Sequence, residues 1–198
     1  MSSTDTQGAQ DAPPGPTITE LAEWADLDDE AIAVLSIDSD LKANLERLVD
    51  EGFQLEAVRV LAHALPPRGA VWWGWGCAKQ AAGDEAPDGV RACLEATEAW
   101  LAEPTDARRR AAGAIGNEAK DPSPASMAAM AVLLAEGSTS PPELPHTDPP
   151  PHVSAKLASG AVGLAALGDD PETVEPRLER FLKQGMEVAR KSGLWGEE

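Results

Sequence analysis

The stretch His63-Ala64-Leu65-Pro66-Pro67-Arg68-Gly69-Ala70-Val71-Trp72-Trp73-Gly74-Trp75-Gly76-Cys77-Ala78-Lys79 decides the fold. The pair Pro66 and Pro67 marks a helix start, where the N–H that proline lacks would have no intrahelical partner. At about 100° per residue, Trp75, Trp72 and Trp73 fan over roughly half of the helix surface. Val71, Ala78, Ala70 and Cys77 fill most of the remainder. A helix apolar nearly all round is buried on all sides, so this segment is expected to be the central helix. Gly69, Gly74 and Gly76 interrupt it with residues that cost up to about 1 kcal/mol each in a helix interior. They also leave room for close helix neighbours.

Working outward, the flanking sequence reads as helix on both sides. Upstream, Leu41, Leu45 and Leu48 recur at the spacing of one face in a helix over Asp40–Glu51, with Ser39 as its N-cap and Gly52 as its stop. Gln54–Ala64 completes a helical hairpin with it. Nearer the start, Thr17–Leu27 is a short amphipathic helix with Leu21 and Trp24, and Asp28-Asp29-Glu30 opens another. Downstream, helices are expected over Asp88–Ala102, from Pro104-Thr105-Asp106 to about Ala119, and from Asp121-Pro122-Ser123-Pro124 to Gly137. Thr97 falls on the apolar face of the first of these, with its hydroxyl free to bond back to the preceding turn. Two more follow at Val153–Leu167 and from Pro171 to about Ser192, with Gly193-Leu194-Trp195 as a tail.

Strand formers are scarce while Ala, Leu, Glu and Arg abound, which is a helical composition. The fold class is therefore all-α: an irregular antiparallel helical bundle of nine or ten helices with no sheet. Residues 1–16 carry almost nothing to bury and are expected to be a disordered tail, leaving residues 17–198 as a single domain. Six prolines among the fourteen residues 138–151 exclude helix, so this segment is expected to run over the surface as a connector. The Pro-containing loops recur at irregular spacing, which argues against a repeat array.

The formal charge of −18 excludes the function classes that need phosphate neutralisation: nucleic-acid binding and attachment to anionic membranes. Acid concentrated between Glu20 and Glu56 serves solubility first, and also suits a protein partner with a basic surface. The N-terminus has no basic, apolar leader and no apolar run reaches the roughly 20 residues a bilayer requires. The expected location is cytoplasmic.

Few residues carry chemistry. Gly74-Trp75-Gly76-Cys77-Ala78-Lys79 starts like a dinucleotide fingerprint but lacks its final glycine and a preceding strand. His63, His146, His152, Cys77 and Cys93 show no pair at zinc-site spacing, so no metal and no cofactor are expected. Cys77 and Cys93 are either a disulfide or two buried thiols. Asp26, Asp28, Asp38 and Asp40 do not make a calcium loop. No nucleophile elbow or paired acid and base stands out, so no catalytic residue is assigned. Arg108-Arg109-Arg110 is expected to pair with Asp106 and Glu103.

The tryptophan cluster admits two readings: core packing, or a stacking surface with Arg68 as its polar neighbour. The candidate binding residues are thus Arg68, Trp72, Trp73 and Trp75.

The segment Ala57-Val58-Arg59-Val60-Leu61-Ala62-His63-Ala64-Leu65-Pro66-Pro67-Arg68-Gly69-Ala70-Val71-Trp72-Trp73 resembles the hallmark of an uncharacterised bacterial family of small all-helical proteins, Leu-Pro-x-Arg-x-Ala-Val-Trp-Trp. Met127-Ala128-Ala129-Met130-Ala131, the proline segment leading into the helix after His152, and Arg180-Phe181-Leu182 agree as well, so the resemblance spans most of the chain from about residue 28. Gly69, Gly74 and Gly76 depart from it. The resemblance implies an accessory protein associated with type VI-like contractile secretion loci, and it implies no catalytic residues.

Two functions follow as expectations. One is a non-enzymatic interaction or scaffold component of a bacterial assembly, with an exposed apolar patch near Trp73, Trp100 or Trp195. The other is a small-molecule binder or enzyme with a pocket walled by Trp72, Trp73 and Trp75.

Overall fold

The computed structural model describes residues 15–119, 121–167 and 171–195; the expected tail lies almost wholly outside them. Among the described residues there are ten α-helices and no strand. They are α1 (Ile18–Trp24), α2 (Asp29–Ala33), α3 (Leu41–Asp50), α4 (Gln54–Ala64), α5 (Pro67–Ala82), α6 (Asp88–Ala102), α7 (Asp106–Glu118), α8 (Pro124–Leu133), α9 (Val153–Ala166) and α10 (Val174–Lys191). The tryptophan segment is α5, which packs chiefly on α9 and α8; α6 and α10 complete its surroundings.

Local chemistry sets the ends of these helices. Thr17 and Glu20 close a capping box on α1, and Ser123 and Ser126 close one on α8. The cap of α3 is Asp40 rather than the expected Ser39: its carboxylate accepts from the Ala43 amide at 2.8 Å. Ser39 instead belongs to a loop organised by the buried Asn44. That amide side chain donates to the Ser36, Ser39 and Asp40 carbonyls and accepts from the Ser36 N–H. Gly52 stops α3 as expected. Its φ of +88° lets the Gly52 and Phe53 amides reach the Val49 and Leu48 carbonyls, a Schellman closure. At the other extreme α8 ends at Leu133, short of Gly137, and α10 is preceded by a 3-10 turn over Pro171–Thr173. Residues 138–151 contain no helix.

Despite three glycines, α5 is unbroken for 16 residues. Gly74 explains one of them, because a Cβ there would stand 3.1 Å from the Ala158 carbonyl oxygen of α9. The core runs through Leu45, Leu48, Val58, Leu61, Val71, Trp73, Trp100, Val162 and Phe181, all fully or nearly fully buried. Burying large side chains of this kind contributes roughly 1.5–3 kcal/mol each. Ala128, Ala129, Ala158, Ala161 and Ala165 let α8, α9 and α5 approach closely, which is why an alanine-rich composition still fills its interior.

One expectation is corrected. The helix α5 is not buried all round: Trp72 is 47% exposed, Trp75 is half-buried, and Arg68, Lys79 and Gln80 face solvent. Arg68, Trp72, Gly76 and Lys79 fall about one turn apart, so they form a stripe that no neighbouring helix covers. Trp72 is apolar but lies on that stripe, which made the helix look uniformly apolar in sequence.

Candidate functional site

The residues singled out in sequence do not converge. Trp73 is 1% exposed, and its indole N–H donates to the Phe181 carbonyl at 2.8 Å, so it is core. Trp75 turns toward α6, where its N–H donates to the Leu94 carbonyl at 3.0 Å and Lys79 Nζ stands 4.6 Å from the ring centroid. Trp72 faces the other way. A pocket walled by all three rings is therefore not formed. Of the other tryptophans expected near an exposed patch, Trp100 is 1% exposed and Trp195 packs against the core; the exposed ring is Trp72, of the adjacent pair Trp72 and Trp73.

Arg68 and Trp72 do belong together. They line a surface groove of about 510 Å³ with Pro66, Gly69, Leu101, Val188, Lys191 and Ser192. The Arg68 guanidinium donates to the Leu101 carbonyl, which fixes its head at the end of α6. Pro66 supplies no side-chain cap to α5, so the first turn adds its positive dipole end to the two cations of this groove.

A second cleft, of about 620 Å³, was not foreseen. Its walls are Leu55, Arg59 and His63 on α4, Lys156, Ser159, Gly163 and Leu164 on α9, Val174 and Leu178 on α10, and Asp26 after α1. The α4 residues recur at i, i+4 and i+8, so the helix points a leucine, an arginine and a histidine at one opening. Gly163 keeps α9 close to α4, since a Cβ there would meet Leu55 at 3.2 Å. Lys156 Nζ pairs with the Asp26 carboxylate at 2.5 Å. That hydrogen bond, then the charges on Lys156 and Arg59, holds Asp26 below the usual carboxylate range.

His63 is 9% exposed. Its Nδ1 lies 2.8 Å from the Arg59 carbonyl, which can only accept, so Nδ1 carries the proton. Burial pushes its pKa down, which leaves a neutral ring with a lone pair on Nε2. That Nε2 is buried and has no hydrogen-bond partner. Beside it, 6.0 Å between centroids, is His152, whose ring stacks on Trp24 at 4.2 Å. Asp26 (φ +52°) and His152 (φ +65°) are the two non-glycine residues with positive φ among those described. Such conformations cost of order 1–3 kcal/mol and gather at functional sites.

The sequence reading missed this cleft because its polar residues come from three distant segments. Its only local signals were Arg59 and His63 one turn apart on a helix rich in apolar residues, and a polar lysine on the small-residue helix α9.

Elsewhere, the arginine run pairs as expected: Arg108 with Glu103, and Arg109 and Arg110 with Asp106. Arg109 is 1% exposed, however, and is part of the interior. The Thr97 hydroxyl donates back to the Cys93 carbonyl at 2.8 Å. Cys77 and Cys93 are free buried thiols, and burial pushes Cys77 up to about 12. Among the described residues no three His, Cys, Asp or Glu side chains gather to hold a metal ion. None of the described helices is long and apolar enough to cross a membrane.

These features define a class: an all-α protein that carries its exposed tryptophan and its polar side chains in two separate surface clefts. Its residues 44–189 match the model of a family of unknown function, DUF6931, and the chain belongs to that family. No curated protein and no solved structure matches it. The match covers most of α3 through most of α10 and leaves out α1, α2 and the loop ahead of α3.

Proposed function

We propose that the protein is a non-enzymatic interaction component that holds another protein on the groove around Trp72. The observation carrying this reading is the 47% exposure of Trp72 on a helix whose other faces are core. Tryptophan and arginine are the residues most enriched where binding energy concentrates. Leu101 and Val188 supply an apolar floor, while Arg68 and Lys191 supply positive charge within an otherwise acidic chain. The occupant that fits is a segment presenting one apolar side chain and one carboxylate. Over longer range the net charge of −18 repels a partner that is acidic throughout and steers one whose remaining surface is basic.

The resemblance of the Ala57–Trp73 segment supports a partner encoded at type VI-like contractile secretion loci, met in the cytoplasm. Affinity capture in the producing cell tests the reading, comparing the wild type with Trp72→Ala, Arg68→Glu and a control, Ile37→Ala, at an exposed isoleucine outside the groove. The wild type and Ile37→Ala should retain a partner that Trp72→Ala and Arg68→Glu hold at least ~10-fold more weakly. Equal retention by Trp72→Ala, or no partner for the wild type, overturns the reading.

A further inference from the structure

The cleft between α4, α9 and α10 is independent of the Trp72 groove, and its composition is selective. Its lining contains two permanent cations, Arg59 and Lys156, against one acid, Asp26. That local excess of positive charge lies in a chain of net charge −18. Glu56 approaches Arg59 only to 3.7 Å on the flank. Lys156 has three donors, and the contact with Asp26 uses one.

The other walls are apolar: Leu55, Leu164, Val174 and Leu178 are half-buried, and Leu167 stands 59% exposed at the lip. A cleft of about 620 Å³ falls within the size range of small-molecule sites, which are mostly apolar with a few convergent polar groups. The orphan Nε2 of His63 is a third, independent sign. A buried acceptor without a partner costs stability and is rarely left so. With Nδ1 committed to Arg59, what Nε2 lacks is a donor.

We propose that this cleft binds an amphiphilic organic anion, with its carboxylate at Arg59 and Lys156 and its chain along Leu55, Leu164 and Leu178. A hydroxyl or amide N–H close to the carboxylate would complete the site by donating to His63 Nε2 after a small shift of the lining, because that atom is shut off from solvent in the free chain. Asp26 holds Lys156 in place beside that carboxylate and excludes dianionic head groups, which it would repel.

Calorimetric titration of the full chain with four probes tests this: octanoate, 3-hydroxyoctanoate, 1-octanol and octylamine. Octanoate should bind at least ~10-fold more tightly than 1-octanol, since charge-assisted hydrogen bonds supply the difference. 3-Hydroxyoctanoate should bind more tightly still, and octylamine should not bind. Arg59→Gln and Lys156→Gln should each weaken octanoate by about 10-fold or more. His63→Phe should erase the preference for the hydroxy acid while keeping octanoate.

Lys156 is half-exposed, so Lys156→Gln keeps the test sound even if His63→Phe fails to fold. Lys191→Gln, in the Trp72 groove, should leave every affinity unchanged, which separates this proposal from the docking proposal. The proposal is overturned if neither acid binds the folded wild type at millimolar concentration, if octylamine binds as well as octanoate, or if Lys156→Gln has no effect. An unchanged hydroxy-acid preference in His63→Phe removes the histidine from the site.

Discussion

Gly185 provides a test in which two known effects oppose each other. It lies in the interior of α10, where replacing glycine by alanine should gain up to ~1 kcal/mol through helix propensity alone. The structure reverses that sign. A Cβ at Gly185 would stand 2.6 Å from Trp73 Cε2, 2.7 Å from Cζ2 and 2.8 Å from Leu61 Cδ2. Carbon atoms at rest stay about 3.5–4.0 Å apart, so the overlap on the ring approaches 1 Å. The ring cannot swing away, because it is buried and its N–H is tied to the Phe181 carbonyl. Overpacking of this kind costs about 1–3 kcal/mol and occasionally more; taking about 3 and subtracting the propensity gain leaves about 2 kcal/mol of destabilisation.

Urea unfolding followed by far-UV circular dichroism measures the difference, and at this chain length the melting temperature should fall by about 4–8 °C. Gly76→Ala is the matched control. Nothing lies within 4 Å of its Cβ position, so it should stabilise by up to ~1 kcal/mol. In a Trp73→Phe background the cost of Gly185→Ala should shrink, because the clashing ring atoms are gone. If Gly185→Ala stabilises as much as Gly76→Ala does, the placement of Trp73 against α10 is refuted.

Two further outcomes follow. Arg109 donates to the Leu133 carbonyl at 2.5 Å and to the Ser138 carbonyl at 2.6 Å, and Arg110 also reaches Ser138. Arg109→Met therefore orphans chiefly the Leu133 carbonyl and should cost about 2–3 kcal/mol in urea unfolding, an unusual loss for a residue in a run of arginines. His63 has a folded-state pKa below its ordinary value of 6.5 because it is buried, and beside His152 and Lys156, with the hydrogen bond to the Arg59 carbonyl and then Asp26 opposing. The unfolded chain therefore takes up the proton first as pH falls through 6.5, so the stability this residue contributes is complete above that pH and is lost below it. The urea midpoint should drop between pH 7.5 and 5.5, and His63→Phe should flatten part of that drop.

The helices themselves were legible in the sequence. Leucines at one-turn spacing, prolines at helix starts and Gly52 as a stop act within a few residues of one another, and α4 and α6 begin and end where those signals place them. Errors arose where two local signals competed. Ser39 and Asp40 are both good caps, and the choice fell to Asp40 because Asn44 occupies the loop around Ser39.

Of the two clefts, only the Trp72 groove was half visible. Arg68 and Trp72 were singled out together, but Trp73 and Trp75 were grouped with them although their rings point elsewhere. Periodicity specifies the angles between the three rings and not which angle a neighbour will cover. That is decided by α6, α8, α9 and α10, and the segment's apolar character gives no amphipathic contrast from which to infer it. The same holds for Arg109, which reads as surface charge until Leu133 and Ser138 close over it. It holds most of all for Arg59, His63 and Lys156. Sequence alone determined that this chain makes helices and, at α4 and α6, where they begin and end. The exposure of Trp72, the burial of Arg109 and the meeting of two cations with a partnerless histidine were decided by tertiary packing, because each depends on contacts between residues dozens of positions apart.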